Sequence, residues 1–267
     1  MARDGQDLHM KPTLIPDLLA LTAASLEPLD QLLEAARASV KDMVSEEGRI
    51  SGRLIEENQV AAHGLSWLAT YVYSLRQMQK WAEKLQAEGK FSELDQLIHQ
   101  IGFGEYLWQV YGGIQMNQGE IIRLQDLGLS QDAQRGLMVP AVMTLCEQGN
   151  SQAARTRLVD LMEEQAGATM FGASGLEEEL EMIRDQFRRY AVEKVEPHAH
   201  DWHLKDELIP LSVIEELAEM GVFGLTIPRN TAGSVCPRRR WSWSRRNCRA
   251  AISVSDHLAP VRKSQPS

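Results

Sequence analysis

The chain is 267 residues long, 43% hydrophobic, 24% charged and only 6% aromatic. These are the proportions of one or two globular domains, and they exclude a fibrous or wholly disordered polymer. The net charge of −9 conceals a step: residues 1–228 hold nineteen basic and thirty-six acidic side chains, a net of −17, whereas residues 229–267 hold nine basic and one acidic, a net of +8.

Cys146, Cys236 and Cys248 make neither an even set nor a C-x-x-C pair. A disulfide scaffold and a cysteine zinc site are therefore set aside, and a reducing compartment is expected. The apolar stretch 14–26 is broken by Pro16 and Asp17 and has no small-residue cleavage pattern. The longest uncharged run, 58–75, includes Asn58, Gln59, His63, Ser66, Thr70 and Ser74. Neither a leader nor a membrane span is expected, and the expected location is the cytoplasm.

Residues 16–166 read as helix almost throughout. Leu29, Leu32, Leu33, Ala36, Val40, Met43 and Val44 recur at spacings of three and four, which makes one apolar stripe and leaves Glu34, Arg37 and Lys41 to water. A longer helix is expected from about 53 to 85, with Leu65, Leu68, Val72, Leu75, Met78 and Trp81 inward, until Gly89-Lys90 breaks it. The next runs from Leu94 through Val110 to the Gly112-Gly113 stop. Shorter helices are expected near 117–127, 131–147 and 151–166, the last capped by Asn150, and no strand of useful length.

Residues 167–175 contain three glycines and no charge, and read as a linker between a helical extension, 1–166, and a second region, 176–228. Ser174 and Glu177 have capping-box spacing, so a helix is expected to start there, with Leu176, Leu180, Ile183, Phe187, Ala191 and Val195 inward. Glu196-Pro197 is expected to end it, because the residue before proline avoids helical angles. A second helix opens at Pro210 and closes at Gly221 around Val213, Ile214 and Leu217, followed by the apolar connector 222–228. Residues 229–267 are expected to be disordered. The fold class expected is all-α.

Little of this reads as chemistry. His198, His200 and His203 lie with Asp201 in "HAHDWH", but His198 and His203 would fall about 140° apart on a helix, so a polar turn is the simpler reading than a metal site. His63, beside Gly64 in an apolar helix, reads as a hydrogen-bonded core histidine. Glu177, Glu178 and Glu179 suit a helix N-terminus electrostatically and not acid–base work. Gly102-x-Gly104, Gly112-Gly113 and Gly89-Lys90 lack the rest of any phosphate-binding fingerprint, and no G-x-S-x-G or H-E-x-x-H occurs. No catalytic, cofactor-binding or metal residue is assigned. The basic, Trp-interleaved run 238–246 gives an alternative reading, a helical interaction module with a nucleic-acid-binding tail.

The stretch "LEEELEMIRDQFRRYAVEKVEPHAHDWHLKDELIPLSVIEELAEMGVFGLTIP", 176–228, resembles the first helices of the N-terminal domain of acyl-CoA dehydrogenases. The upstream segments "ENQVAAHGLSWLATYVYSLRQMQKWAEKL" and "IGFGEYLWQVYGGIQMNQGEI" are similar to the helical extension that precedes that domain in the methylsuccinyl-CoA branch of the family. The resemblance implies an FAD enzyme acting on an acyl-CoA: a glutamate removes the α-proton, the β-hydrogen leaves as hydride to the flavin, and hydrogen bonds polarise the thioester carbonyl. Family members are homo-oligomers. Their flavin contacts and general base fall after this chain departs from the pattern, so none is carried onto a residue here; Glu177, Glu193, Glu196 and Glu215 are not promoted to that role.

The departure begins at Arg229, where the family has Glu-Glu-(aromatic)-Gly-Gly after Ile-Pro. Codons AGG-AAT-ACG-GCG-GG for 229–233, regrouped with one upstream G, read Glu-Glu-Tyr-Gly-Gly. The same shift at 241–252 can give an amphipathic helix. Residues 229–267 are accordingly expected to be an out-of-frame translation, leaving an inactive front portion of a dehydrogenase. In that state an apolar stripe at Phe187, Val213, Leu217 and Phe223 is expected to be partly exposed.

Overall fold

The structure is a computed structural model that describes residues 13–166, 168 and 170–224. It divides into two compact units, Met1–Gly175 and Leu176–Ser267, and its described residues are predominantly helical. The expected disordered tail falls outside the described residues.

In the first unit, α1 (Leu18–Met43) buries Leu29, Leu32, Leu33, Ala36 and Val40 and leaves Glu34, Arg37 and Lys41 exposed, as the three-four spacing requires. A two-residue turn, Glu47 at φ 50° and Gly48 at φ 76°, joins β1 (Ser45–Glu46) to β2 (Arg49–Ile50). Positive φ at both positions suits the twist of a tight hairpin. The helix expected from 53 is divided by Asn58 into α2 (Gly52–Glu57) and α3 (Gln59–Ala87). Asn58 turns its Nδ2 amide back to the carbonyls of Leu54 and Met43 and so stops the first segment. A capping box between Ser92 and Asp95 opens α4 (Glu93–Gly112).

After α4 the chain forms a hairpin, β3 (Ile114–Asn117) and β4 (Glu120–Ile122), where a helix near 117–127 was expected. Asn117 Oδ1 accepts the Gly119 amide at 2.8 Å, an Asx turn that outcompetes helix in a stretch with too few apolar residues for a helical face. A 3₁₀ turn follows at Leu124–Leu127. The expected helix 131–147 is two: Pro140 forces the preceding residue out of helical angles, which separates α5 (Gln131–Leu137) from α6 (Pro140–Thr144), and a π-helical turn continues over Leu145–Gly149. The N-cap of α7 (Gln152–Glu164) is Ser151, whose hydroxyl accepts the Ala154 amide, and not Asn150.

Helices α1, α3 and α4 enclose the core, with Leu29, Leu68, Leu75, Leu97, Phe103 and Leu107 at 0% exposure. α4 meets the π-helical turn backbone to backbone: a Cβ at Gly104 would stand 2.7 Å from the Asn150 amide nitrogen and 2.9 Å from Gly149 Cα. The glycine pair is a packing device. Gln100 fastens the same place, donating to the carbonyls of Gly149 and Thr13 and accepting the Ile15 amide.

In the second unit α8 (Glu178–Tyr190) begins with Glu177 at the cap position, later than the Ser174 start expected from the sequence. Gly175, at φ 66°, is left-handed and cannot belong to the first turn. Glu196-Pro197 does not end the helix. The backbone widens into a π-helical turn over Ala191–Val195, in which the Glu196 amide bonds the Ala191 carbonyl five residues back, and Pro197 sits in the first turn of α9 (Glu196–Leu204). Then α10 (Leu211–Glu219) closes on Gly221 at φ 84°. Ile183, Phe187, Val213 and Leu217 form the core of this unit. Phe187, Val213 and Leu217, expected to be partly exposed, are therefore buried against one another; Phe223 is 58% exposed. Ile214, expected inside, is exposed.

Candidate functional site

An open groove of about 460 Å³ lies in the first unit, lined by Ile55, Gln59, Val60, Ala62, His63, Ser66 and Glu120. Gly64 builds it: a Cβ there would stand 2.6 Å from Ile122, so the missing side chain lets β4 lie against α3 and brings Glu120 opposite His63. His63 is therefore exposed and not the core histidine expected. Its Nε2 accepts the Trp67 indole N–H at 3.0 Å, which leaves the ring proton on Nδ1, 3.9 Å from Glu120 Oε1. Both ring nitrogens thus face groups of this chain, Trp67 on one side and Glu120 on the other.

The buried histidine is His99, which the sequence reading did not single out. Thr22 donates to Gln79 Oε1 at 2.6 Å, so its oxygen is left to accept the His99 Nε2–H across 3.1 Å. Nδ1 then carries the bare lone pair, and it has no partner. The ring is fully buried with Trp81, Phe91 and Phe103 around it, the nearest centroid 4.7 Å away. Burial pulls its pKa down to about 4. No face of the ring is open to a substrate, so His99 is an internal strut.

The other sequence candidates scatter. His198, His200 and His203 lie on α9, exposed, where a polar turn was expected. Among the described residues no three His, Cys, Asp or Glu side chains are grouped to hold a metal. Cys146 is buried, and burial raises its thiol pKa to about 11, which keeps it protonated and unreactive. Glu177, Glu178 and Glu179 stand exposed at the start of α8, and Glu193, Glu196 and Glu215 are exposed as well.

A flavin dinucleotide needs a phosphate cradle of basic side chains or unoccupied helix-terminal amides. The ionisable residues of the groove are Glu120 and His63, with no lysine or arginine among its lining. The starts of α4 and α8 carry their own carboxylates, Glu93 and Asp95 in one and Glu178, Glu179 and Glu181 in the other. These places do not fit the cofactor, and no chemical step is derived through it.

What the geometry leaves open, sequence relationship answers at the level of class. A family model described as the acyl-CoA dehydrogenase N-terminal domain matches residues 177–240. By sequence this part of the chain is similar to the acyl-CoA dehydrogenases. The chain is 55% identical over 220 residues to the (2S)-methylsuccinyl-CoA dehydrogenase of Cereibacter sphaeroides, an alignment that takes in 82% of this chain and 39% of the relative. The chain thus spans about two fifths of the length of the protein it matches. The domain match runs past Pro228 to Arg240 and draws no break at Arg229. No helix among the described residues is long and apolar enough to cross a membrane.

Proposed function

We propose that this chain corresponds to the front of a flavin-dependent dehydrogenase of the methylsuccinyl-CoA to mesaconyl-CoA type, located in the cytoplasm, and that it does not dehydrogenate an acyl-CoA by itself. The observation that carries the reading is the 55% identity to (2S)-methylsuccinyl-CoA dehydrogenase over 220 residues. Within it, residues 1–166 are the helical extension, 167–175 the connecting segment and 176–228 the opening of the N-terminal dehydrogenase domain. The family is in general FAD-dependent. Inactivity is inferred from the departure from the family pattern at Arg229, ahead of where the family's flavin contacts and general base fall.

Residues 229–267, on this reading, are translated out of frame. Support comes from the family motif that a one-base regrouping restores at 229–233 and from the reversal of charge at the same point. The domain match extending to Arg240 pulls the other way, and the coding DNA separates the two.

Two experiments test the proposal. The purified chain, given methylsuccinyl-CoA and an artificial electron acceptor, is expected to show neither flavin absorbance nor acceptor reduction; copurified flavin with turnover would overturn inactivity. Nucleotide sequence across the Pro228 codon is expected to continue as a dehydrogenase domain in the shifted frame, and a shifted frame without such a domain would sink the out-of-frame reading.

A further inference from the structure

The segment 170–175 was expected to be part of a linker, yet it lies against α3 and α4 with its peptide groups individually bonded. The Ala173 amide donates to Asp95 Oδ1 at 2.8 Å, and the Ala173 carbonyl accepts the Trp81 indole N–H at 2.9 Å. The Gly175 carbonyl accepts Lys84 Nζ at 2.8 Å. Asp95 is 1% exposed, and its second oxygen is already engaged by the amide and hydroxyl of Ser92. A buried carboxylate with one oxygen pointing at a passing backbone amide is a built acceptor, because leaving that oxygen unpaired would incur the desolvation penalty of a charged group.

The two glycines match the same groove. Gly172 sits at φ 79°, where a Cβ would stand 2.5 Å from Asp95 Oδ1; Gly175 sits at φ 66°, where one would stand 2.7 Å from Trp81 Cδ1. At both positions the left-handed backbone and the close approach independently demand glycine. A merely flexible connector needs neither hydrogen-bond partners nor contact at those distances.

We infer that the face formed by Trp81, Lys84 and Asp95 is a backbone-reading peptide site whose occupant is this chain's own Gly172-Ala173-Ser174-Gly175, so that the first unit ends in a docked latch. Main-chain groups supply the attachment, as in other cases where a folded surface captures an extended segment, and the small side chains let the backbone come close. Any pivot in the chain after the first unit must then lie beyond Gly175. The inference stands on contacts within the first unit and does not depend on the dehydrogenase reading.

The test uses the full chain. In the unmodified protein the Ala173 amide is expected to exchange with solvent far more slowly than in the urea-unfolded chain, and the Phe171–Gly172 bond is expected to resist chymotrypsin. Proteolysis follows the population of the opened segment. Trp81→Phe, which keeps an aromatic side chain and removes the indole N–H donor, is expected to raise cleavage there about fivefold, the worth of one hydrogen bond. Gly175→Ala is expected to raise it roughly tenfold or more, from the left-handed penalty alone. Helical circular dichroism checks that each variant is folded, and the exchange measurement needs no variant. Exchange of the Ala173 amide at its unfolded rate, or folded variants cleaved no faster than the unmodified chain, would overturn the latch.

Discussion

The two units are written in the same helical code, yet they bury their apolar residues to different depths. In the first, three long helices surround Leu29, Leu68, Leu75, Leu97, Phe103 and Leu107, all at 0% exposure. In the second the clustered core side chains, Phe187, Ile183, Leu217 and Val213, retain 6–9%, while Leu208 stands 91% and Leu211 73% exposed. The amphipathic spacing of α8 and α10 is as regular as that of α1. What differs is the number of covering elements, so depth of burial follows from the count of layers and not from the quality of any one stripe.

That contrast can be broken first by truncating matched phenylalanines. Phe103→Ala is expected to destabilise the first unit by about 4 kcal/mol, read as a lowered urea midpoint in helical circular dichroism. Phe187→Ala, in the shallower core, is expected to cost less and to accelerate amide exchange in α8 and α10 only. Equal penalties in the two would show that the second core is as well covered as the first. Next in size, Gly104→Ala is expected to cost about 3 kcal/mol, because the new methyl meets backbone and not a side chain that can move aside. A neutral result would mean that α4 and the π-helical turn are not in contact.

Acid sharpens the same comparison. His99 is neutral in the folded first unit down to about pH 4 but takes up a proton near pH 6.5 once unfolded. Between those values the unfolded state binds more protons, so stability is fully present above pH 6.5, falls as the pH drops and levels off below about 4. The expected loss is up to about 3 kcal/mol, seen as a falling urea midpoint for α3 and α4. The second unit's histidines, His198, His200 and His203, are exposed and supply no such buried group. A His99→Leu variant is expected to flatten the dependence; if it does not, another group is responsible. The smallest effect expected is that of Ser151→Ala, about 1 kcal/mol from loss of the α7 cap, measured by thermal melting.

The long helices were legible because their stripes repeat over many turns, and one misplaced residue does not hide Leu29-Leu32-Leu33-Ala36-Val40. Short elements were not. Asn117-x-Gly119 supports a hairpin only once Ile122 finds the gap at Gly64, a contact fifty-eight positions apart that no local window contains. Pro140, by contrast, was a local signal that could have divided the helix expected over 131–147. Glu196-Pro197 failed as a stop because the helix could relieve the proline by widening just before it. For the candidate site the neighbours in sequence did not discriminate: His63, in an apolar helix, faces water, and His99, between Ile98 and Gln100, is interior. Which side of α3 or α4 faces inward depends on partners that only the fold supplies.

The widened turn at Ala191–Val195 means that the second unit keeps one residue more than a regular helix would need to reach the same place. Deleting a single residue there would let the turn tighten to α-helix while everything downstream keeps its helical phase. Trp202, packed against the Ile183–Phe187 core, would stay there. That turn therefore absorbs one residue of chain length, and a relative one residue shorter at this point is expected to keep the same residues of α9 against the core.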